Sequence, residues 1–182
     1  EVTITIDPTL TAAENANKYF SRYNKLKRTF EAVSQQIEET NELIQHLETI
    51  LTALDIARQE EDLVLIKQEL IDSGYMRSHG RNNRKGGRSM PKSSPLHYIS
   101  SDGYDIYVGK NNYQNDQLTF KIATGNDWWF HAKQAPGSHV IIKCNNEEPP
   151  IKTFEEAASL AAFYSANKNA DKVEIDYIQK KH

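Results

Sequence analysis

From Ala16 to Leu54 the hydrophobic positions recur at an alternating spacing of three and four. They are Ala16, Tyr19, Tyr23, Leu26, Phe30, Val33, Ile37, Thr40, Ile44, Leu47, Leu51 and Leu54. Every position except Thr40 is apolar or aromatic. That spacing holds one narrow stripe on one side of a helix, the seam of a coiled coil. The predicted helix opens near residue 11, where Thr11-Ala-Ala-Glu14 has capping-box spacing. It runs to about residue 57, roughly 70 Å at ~1.5 Å per residue. A second helix is predicted over about 60–73, with Leu63, Ile66 and Leu70 at helical spacing and Gly74 as a C-cap. It is too short to cover the seam. The stripe therefore calls for a helix from elsewhere in a longer protein, or for a second copy of the chain.

The remaining pattern changes in kind. Val2, Ile4 and Ile6 alternate with polar residues as a short strand would, ended by Asp7-Pro8. From about residue 95 a small mixed α/β unit is predicted. Tyr98-Ile99 and the stretch Tyr104 to Val108 read as strands joined at Ser101-Asp102-Gly103. Asn115-Asp116 can cap a short helix carrying Leu118, Ile122 and Ala123. Residues 127–133 and 139–143 read as two further strands. Thr153-Phe-Glu-Glu156 is a second capping box, opening an alanine-rich helix that implies close packing on a sheet. Val173, Ile175 and Tyr177 form a last strand. The fold class is thus α+β: a coiled-coil arm over 1–76, a linker over 77–94 and a compact module over 95–182. Because the pattern begins in mid-strand at Glu1 and stops soon after a strand at His182, we expect a piece of a longer protein whose sheet continues.

Charge sharpens the linker. The net charge is −3, yet residues 77–94 hold Arg77, Arg81, Arg84, Lys85, Arg88 and Lys92 and no acid. Glycine, proline and serine there break any periodicity, so the stretch reads as a flexible tether. Its bases would also neutralise phosphates and release counterions, which favours a nucleic-acid partner. The single cysteine, Cys144, excludes an intrachain disulfide and suits a reducing, cytoplasmic compartment. No apolar run approaches the ~20 residues of a membrane helix.

Candidate chemistry gathers in the module. In Asp127-Trp-Trp-Phe-His131, alternation places Asp127, Trp129 and His131 on one face and Trp128 and Phe130 on the other. The following Ala135-Pro-Gly-Ser-His139 offers Gly137, Ser138 and His139 in a loop able to hold a phosphate. Asp127, His131 and His139 match no metal-ligand spacing, and no metal or other cofactor is expected. Adjacent Ser138 and His139 do not make a nucleophile and base, and no Gly-x-Ser-x-Gly turn is present. Binding a sugar-phosphate backbone, with Trp129 or His131 stacking on a base, competes with a purely structural role for these residues.

Several motifs together resemble a known family. Ser101-Asp-Gly-Tyr104, Val108-Gly109, Gln114-Asn-Asp116, Asp127-x-Trp129-x-His131, Pro136-Gly-Ser-His-Val140 and Glu156-Ala-Ala-x-Leu-Ala-Ala-x-Tyr-Ser165 are similar to the RNA-binding NFACT-R domain. Leu10-Thr-x-x-Glu-Asn-Ala16 and Lys18-Tyr-Phe-x-x-Tyr-Asn-Lys-Leu-Lys27 resemble the middle coiled-coil segment of the same RqcH/NEMF (NFACT) family, whose members also go by fibronectin-binding protein A-like. The resemblance implies a non-enzymatic fragment of a ribosome-associated quality control factor. Such factors bind obstructed large ribosomal subunits, rRNA and tRNA, and support alanine tailing of stalled chains. It implies that the partner helix lies in the preceding part of the protein. It implies RNA contact by Asn115, Asp116, Asp127, Trp129, His131, Gly137, Ser138 and His139 together with the linker bases. Two other readings stay open: a fibronectin- or fibrinogen-binding surface adhesin, and a hydrolase centred on His131 and His139.

Overall fold

The computed structural model describes residues 3–77, 93–145 and 147–181. It divides into two compact units, Glu1–Ile44 and Gln45–His182. The division falls inside helix α1, Ala12–Ile56.

The first unit is the leading part of α1 with the segment before it. Glu14 closes the expected capping box: its Oε2 accepts from the Thr11 amide at 2.7 Å, and Thr11 Oγ1 accepts from the Glu14 amide at 3.3 Å. The strand expected at Val2 to Ile6 does not form over its described residues. Among the described residues no strand lies beside it, and the chain folds back on the helix, with Tyr19 Oη donating to the Thr5 carbonyl. Asn15, only 6% exposed, holds that turn. Its Oδ1 accepts from the Asp7 amide at 2.8 Å, and its Nδ2 donates to the Asp7 and Leu10 carbonyls at 3.0 and 3.3 Å. Along the helix the seam lies open: Tyr23, Leu26, Phe30 and Ile37 are 60, 60, 73 and 56% exposed.

The second unit contains the end of α1, helix α2 (Glu60–Asp72) and the sheet module. Here α1 uses a different side. Ile50 and Ala53 pack with Ile66 of α2, while the seam residues Leu51 and Leu54 remain exposed. On α2 the buried positions are Asp62, Leu65, Ile66 and Glu69, and Leu63 is exposed.

Among the described residues, five antiparallel strands make one sheet in the order β1-β2-β4-β3-β5. They are β1 (Leu96–Ile99), β2 (Asp105–Val108), β3 (Trp128–Ala132), β4 (Val140–Ile142) and β5 (Ile175–Gln179). The β1–β2 turn sits where Ser101-Asp102-Gly103 predicted it, with Gly103 at φ 86°. That left-handed value suits glycine.

Between β2 and β3 lie α3 (Asn112–Gln117) and a π-helical turn (Leu118–Ile122). Asn111 caps α3 by accepting from the Gln114 amide at 3.0 Å. The expected cap at Asn115-Asp116 is therefore inside the helix, four residues late. Helix α4 (Ile151–Phe163) likewise starts before its expected capping box, with Pro150 in extended conformation at its N-cap. Thr153 is buried and donates to Asp102 Oδ2 at 2.8 Å, while Glu156 accepts from the Ser101 amide at 2.8 Å. The box residues tie α4 to the β1–β2 turn instead of capping. Ala157 and Ala161, fully buried, let α4 close on Ile106, Val108, Phe130, Val140 and Ile142. Ile56, in the last turn of α1, belongs to the same core.

Candidate nucleic-acid interface

Strand alternation sorts the aromatic residues of β3 as the sequence predicts. Trp128 and Phe130 face α4, where Phe154 meets their rings edge-on at 5.0 and 5.6 Å. Trp129 and His131 take the opposite face and stack with ring centroids 5.7 Å apart. His139, at the entry to β4, completes the cluster edge-on, 5.1 Å from Trp129 and 5.4 Å from His131. Three residues chosen from sequence are thus one contiguous group.

Their charge state matters for what they can bind. Burial pulls the His139 pKa down to about 4, and the neighbouring His131 adds to the effect. Burial also lowers His131, against a hydrogen bond with the Gly137 backbone and the nearby Asp176 carboxylate. The pair is therefore neutral at physiological pH. Its Nδ1 hydrogen-bonded to Thr119 Oγ1 at 2.8 Å, His139 is fixed in orientation. Neutral imidazoles beside an indole stack and exchange hydrogen bonds, but they supply no positive charge for phosphates.

Four other expected contact residues are engaged inside the protein. Asp127 is 1% exposed. Its carboxylate accepts from Lys143 Nζ at 2.5 Å, the Thr124 amide at 2.6 Å and the Cys144 amide at 3.0 Å. Burial would raise its pKa; those donors outweigh burial and hold it below the ordinary carboxylate range. The carboxylate side chain does not join the two histidines, and among the described residues no group of three potential metal ligands occurs. Asn115 clamps the loop after β3, accepting from the His139 amide at 3.0 Å and donating to the Gly137 carbonyl at 3.3 Å. At Gly137 a side chain would press on Ser165 and the Tyr164 carbonyl, 3.1–3.2 Å from its Cβ. Ser138 is 1% exposed and its amide donates to the Tyr164 carbonyl at 2.9 Å. Its Oγ is buried and has no hydrogen-bond partner among the described residues. The Ser138 and His139 amides of this loop thus donate to the Tyr164 carbonyl and to Asn115.

Asp116 is exposed on α3, and Arg77 is exposed after α2. Arg81, Arg84, Lys85, Arg88 and Lys92 lie outside the described residues.

One aromatic without a sequence signal stands on the surface. Phe120, in the π-helical turn, is 70% exposed, and Lys180 places its Nζ 5.2 Å from the ring centroid. Nothing in the local pattern around Leu118-Thr-Phe-Lys121 distinguishes Phe120 from a core residue. Its exposure follows from the π-helical turn, which sends Leu118 into the core and Thr119 to His139.

Residues 1–89 match the NFACT N-terminal and middle domains, and residues 95–182 match the NFACT protein RNA binding domain. The chain belongs to the NFACT family. Relatives within it include the Rqc2 homolog RqcH of Streptococcus pneumoniae (serotype 2, strain D39), 40% identical over 181 residues, covering 99% of this chain and 32% of the relative. The RqcH of Bacillus subtilis (strain 168) is 36% identical over 183 residues, covering 100% of this chain and 31% of the relative. Human ribosome quality control complex subunit NEMF matches 72 residues at 35% identity, 39% of this chain and 7% of NEMF. Among solved structures, the C-terminal part of the fibronectin/fibrinogen-binding protein from Streptococcus suis superposes with a TM-score of 0.77 at 39% identity. It covers 93% of this chain and 66% of that one. This NFACT chain spans about a third of the length of the RqcH relatives it matches.

Proposed function

We propose that this chain is the RNA- and ribosome-binding portion of a ribosome-associated quality control factor, one that engages obstructed large subunits and supports alanine tailing of stalled chains. The observation that carries the reading is 36–40% identity to Rqc2 homologs along the whole chain, RNA-binding module included. In this reading the open seam of α1 pairs with a helix from the preceding part of the full protein. The linker bases Arg77 to Lys92 supply salt-sensitive phosphate contacts, and the module meets rRNA or tRNA. The site of action is the cytoplasmic ribosome. Among the described residues no helix is long and apolar enough to cross a membrane.

The name of the Streptococcus suis relative favours a second reading, a surface protein that binds fibronectin or fibrinogen. Surface labelling of intact cells separates the two, since a ribosome-docking protein stays unlabelled.

The test is co-sedimentation of the chain with purified large subunits across a salt series. Binding that weakens steeply with salt is expected. Replacing the six linker bases by glutamine should lower the affinity and flatten the slope, each lost phosphate contact removing roughly 0.7–0.9 from it. Absence of co-sedimentation at low salt by both the chain and its full-length parent overturns the reading.

A further inference from the structure

We propose that Phe120 is a stacking platform for an unpaired nucleobase, with Lys180, Lys121 and Lys181 set to meet the adjoining phosphates. The inference rests on the RNA-binding reading and gives it a place and a ligand form: single-stranded RNA rather than duplex.

Three observations converge on this ring. It is 70% exposed, and the module's other exposed aromatics, Phe163 and Tyr177, make ring contacts with Tyr164 and Trp128. Trp129, the base-stacking candidate from sequence, already carries His131 on one side and His139 at its edge. Phe120 has one ring partner among the described residues, the Lys180 ammonium at 5.2 Å, and that partner is a cation. An ammonium over a ring adds to base stacking rather than competing with it, since the base needs the remaining ring surface and its phosphate needs the charge.

Lys121 follows Phe120 directly and is exposed; Lys181 follows Lys180, is exposed, and its amide donates to the Gly125 carbonyl at 3.1 Å. That hydrogen bond pins the end of the chain after β5 beside the loop that follows the π-helical turn. No acid occurs in residues 117–126 or 177–182. The carboxylates bordering these stretches are Asp127, buried and neutralised by Lys143, and Asp176, exposed on β5 near His131. Asp116, one turn before Phe120, also borders the first stretch and is exposed, so the cationic side of the platform is the Lys180 side.

The third observation is the backbone. Leu118–Ile122 is a π-helical turn, closed by the Ala123 amide on the Leu118 carbonyl at 2.8 Å. Such single wide turns recur at functional sites. Duplex RNA hides its base faces within the stack, whereas an unpaired base presents one. A flat aromatic ring with flanking lysines therefore selects single strands and tolerates any base.

The test measures fluorescence anisotropy of labelled single-stranded and duplex RNA of equal length with the 182-residue chain, at several salt concentrations. Phe120→Leu should weaken single-strand binding about 5- to 100-fold, the range expected for one stacked base, and leave duplex binding and the salt slope unchanged. Phe120→Trp should retain single-strand binding. Lys180→Gln should lower the salt slope by about 0.7 and stands as the independent variant should Phe120→Leu misfold. Equal single-strand affinity for wild type, Phe120→Leu and Lys180→Gln overturns the platform while leaving RNA binding intact, and would assign the exposed ring to a protein contact. Failure of the wild-type chain to bind any RNA overturns the platform and the RNA-binding reading together.

Discussion

Asp62 and Lys110 form an ion pair at 2.5 Å with side chains 1% and 5% exposed. The aspartate stands in the first turn of α2 and the lysine in the loop before α3, so the pair stitches the helical hairpin to the sheet module. Asp62 also accepts from the Arg58 and Gln59 amides at 3.0 and 3.2 Å, ending the α1–α2 turn. Ser93 donates to its other oxygen at 2.5 Å, and Gln114 donates to Ser93 at 2.7 Å. This polar network, together with Ile56 in the sheet core, explains why the compact unit begins inside α1 and not after α2.

Removing one partner of such a pair strands a buried charge. Asp62→Ala is expected to cost about 3–5 kcal/mol in denaturant unfolding of the chain. The double variant Asp62→Ala with Lys110→Met should recover much of that loss, because the methionine restores volume without leaving an ammonium unpaired. Equal destabilisation by the single and double variants would show that capping of α2, rather than the ion pair, carries the energy.

The histidine cluster makes stability depend on pH in a defined window. His139 has a folded pKa of about 4 against an ordinary 6.5. Between those values the unfolded chain binds the extra proton, so unfolding becomes easier as pH falls. The stability of neutral His139 is fully present above about pH 6.5 and is lost by about pH 4. His131, also lowered by burial, adds slope in the same direction. Asp127 and Asp62, held below the carboxylate range, contribute a further loss at pH values below those of ordinary carboxylates. Thermal melts from pH 7 to 4 should therefore fall steadily. His139→Gln should flatten that fall while lowering the melting temperature at pH 7, and an unchanged slope would contradict the assignment.

A glycine sets the approach of α3 to the sheet. A Cβ on Gly109 would overlap Asn115 Oδ1, the atom that accepts from the His139 amide. Gly109→Ala should cost about 1–3 kcal/mol through overpacking and displace the His139 backbone. Calorimetry reads the first effect and the histidine ring proton shifts read the second. Asn115→Ala should reproduce the shift changes if the clamp is the link.

Much of this was legible beforehand, and the misses have physical causes. The period-3-4 stripe of α1, the Ser101-Asp102-Gly103 turn and the two faces of β3 were readable because each rests on local periodicity or turn chemistry. The cap of α3 is ambiguous in the sequence because Asn111 and Asn115 are the same residue type one turn apart, and the choice depends on where the backbone leaves β2. Thr153 and Glu156 have capping-box spacing yet serve the β1–β2 turn, a partner more than fifty residues away in sequence. Asp127 fell on the face with His131 by alternation, but it sits just before β3 begins, where the chain turns its carboxylate to Lys143 and Cys144. Phe120 carried no sequence signal at all, because its exposure depends on the π-helical turn.

The seam of α1 sets the last expectation. Tyr23, Leu26, Phe30, Val33, Ile37 and Ile44 are all between 45 and 73% exposed, an apolar stripe of the kind that soluble chains cover. Burial yields about 25 cal/mol per Å² of apolar surface, so pairing this stripe with another helix is worth several kcal/mol. In the absence of a partner helix, two copies of the chain should supply it to each other. Light scattering across a concentration series is expected to show a dimer. Replacing Phe30 and Ile37 with lysine should return the mass to that of a monomer while leaving the far-ultraviolet helix signal of the second unit in place. The same variant placed in a protein containing the preceding helix should weaken the hairpin instead. A wild-type chain that stays monomeric at high concentration with its α1 helix intact would mean that the stripe is stable without a cover.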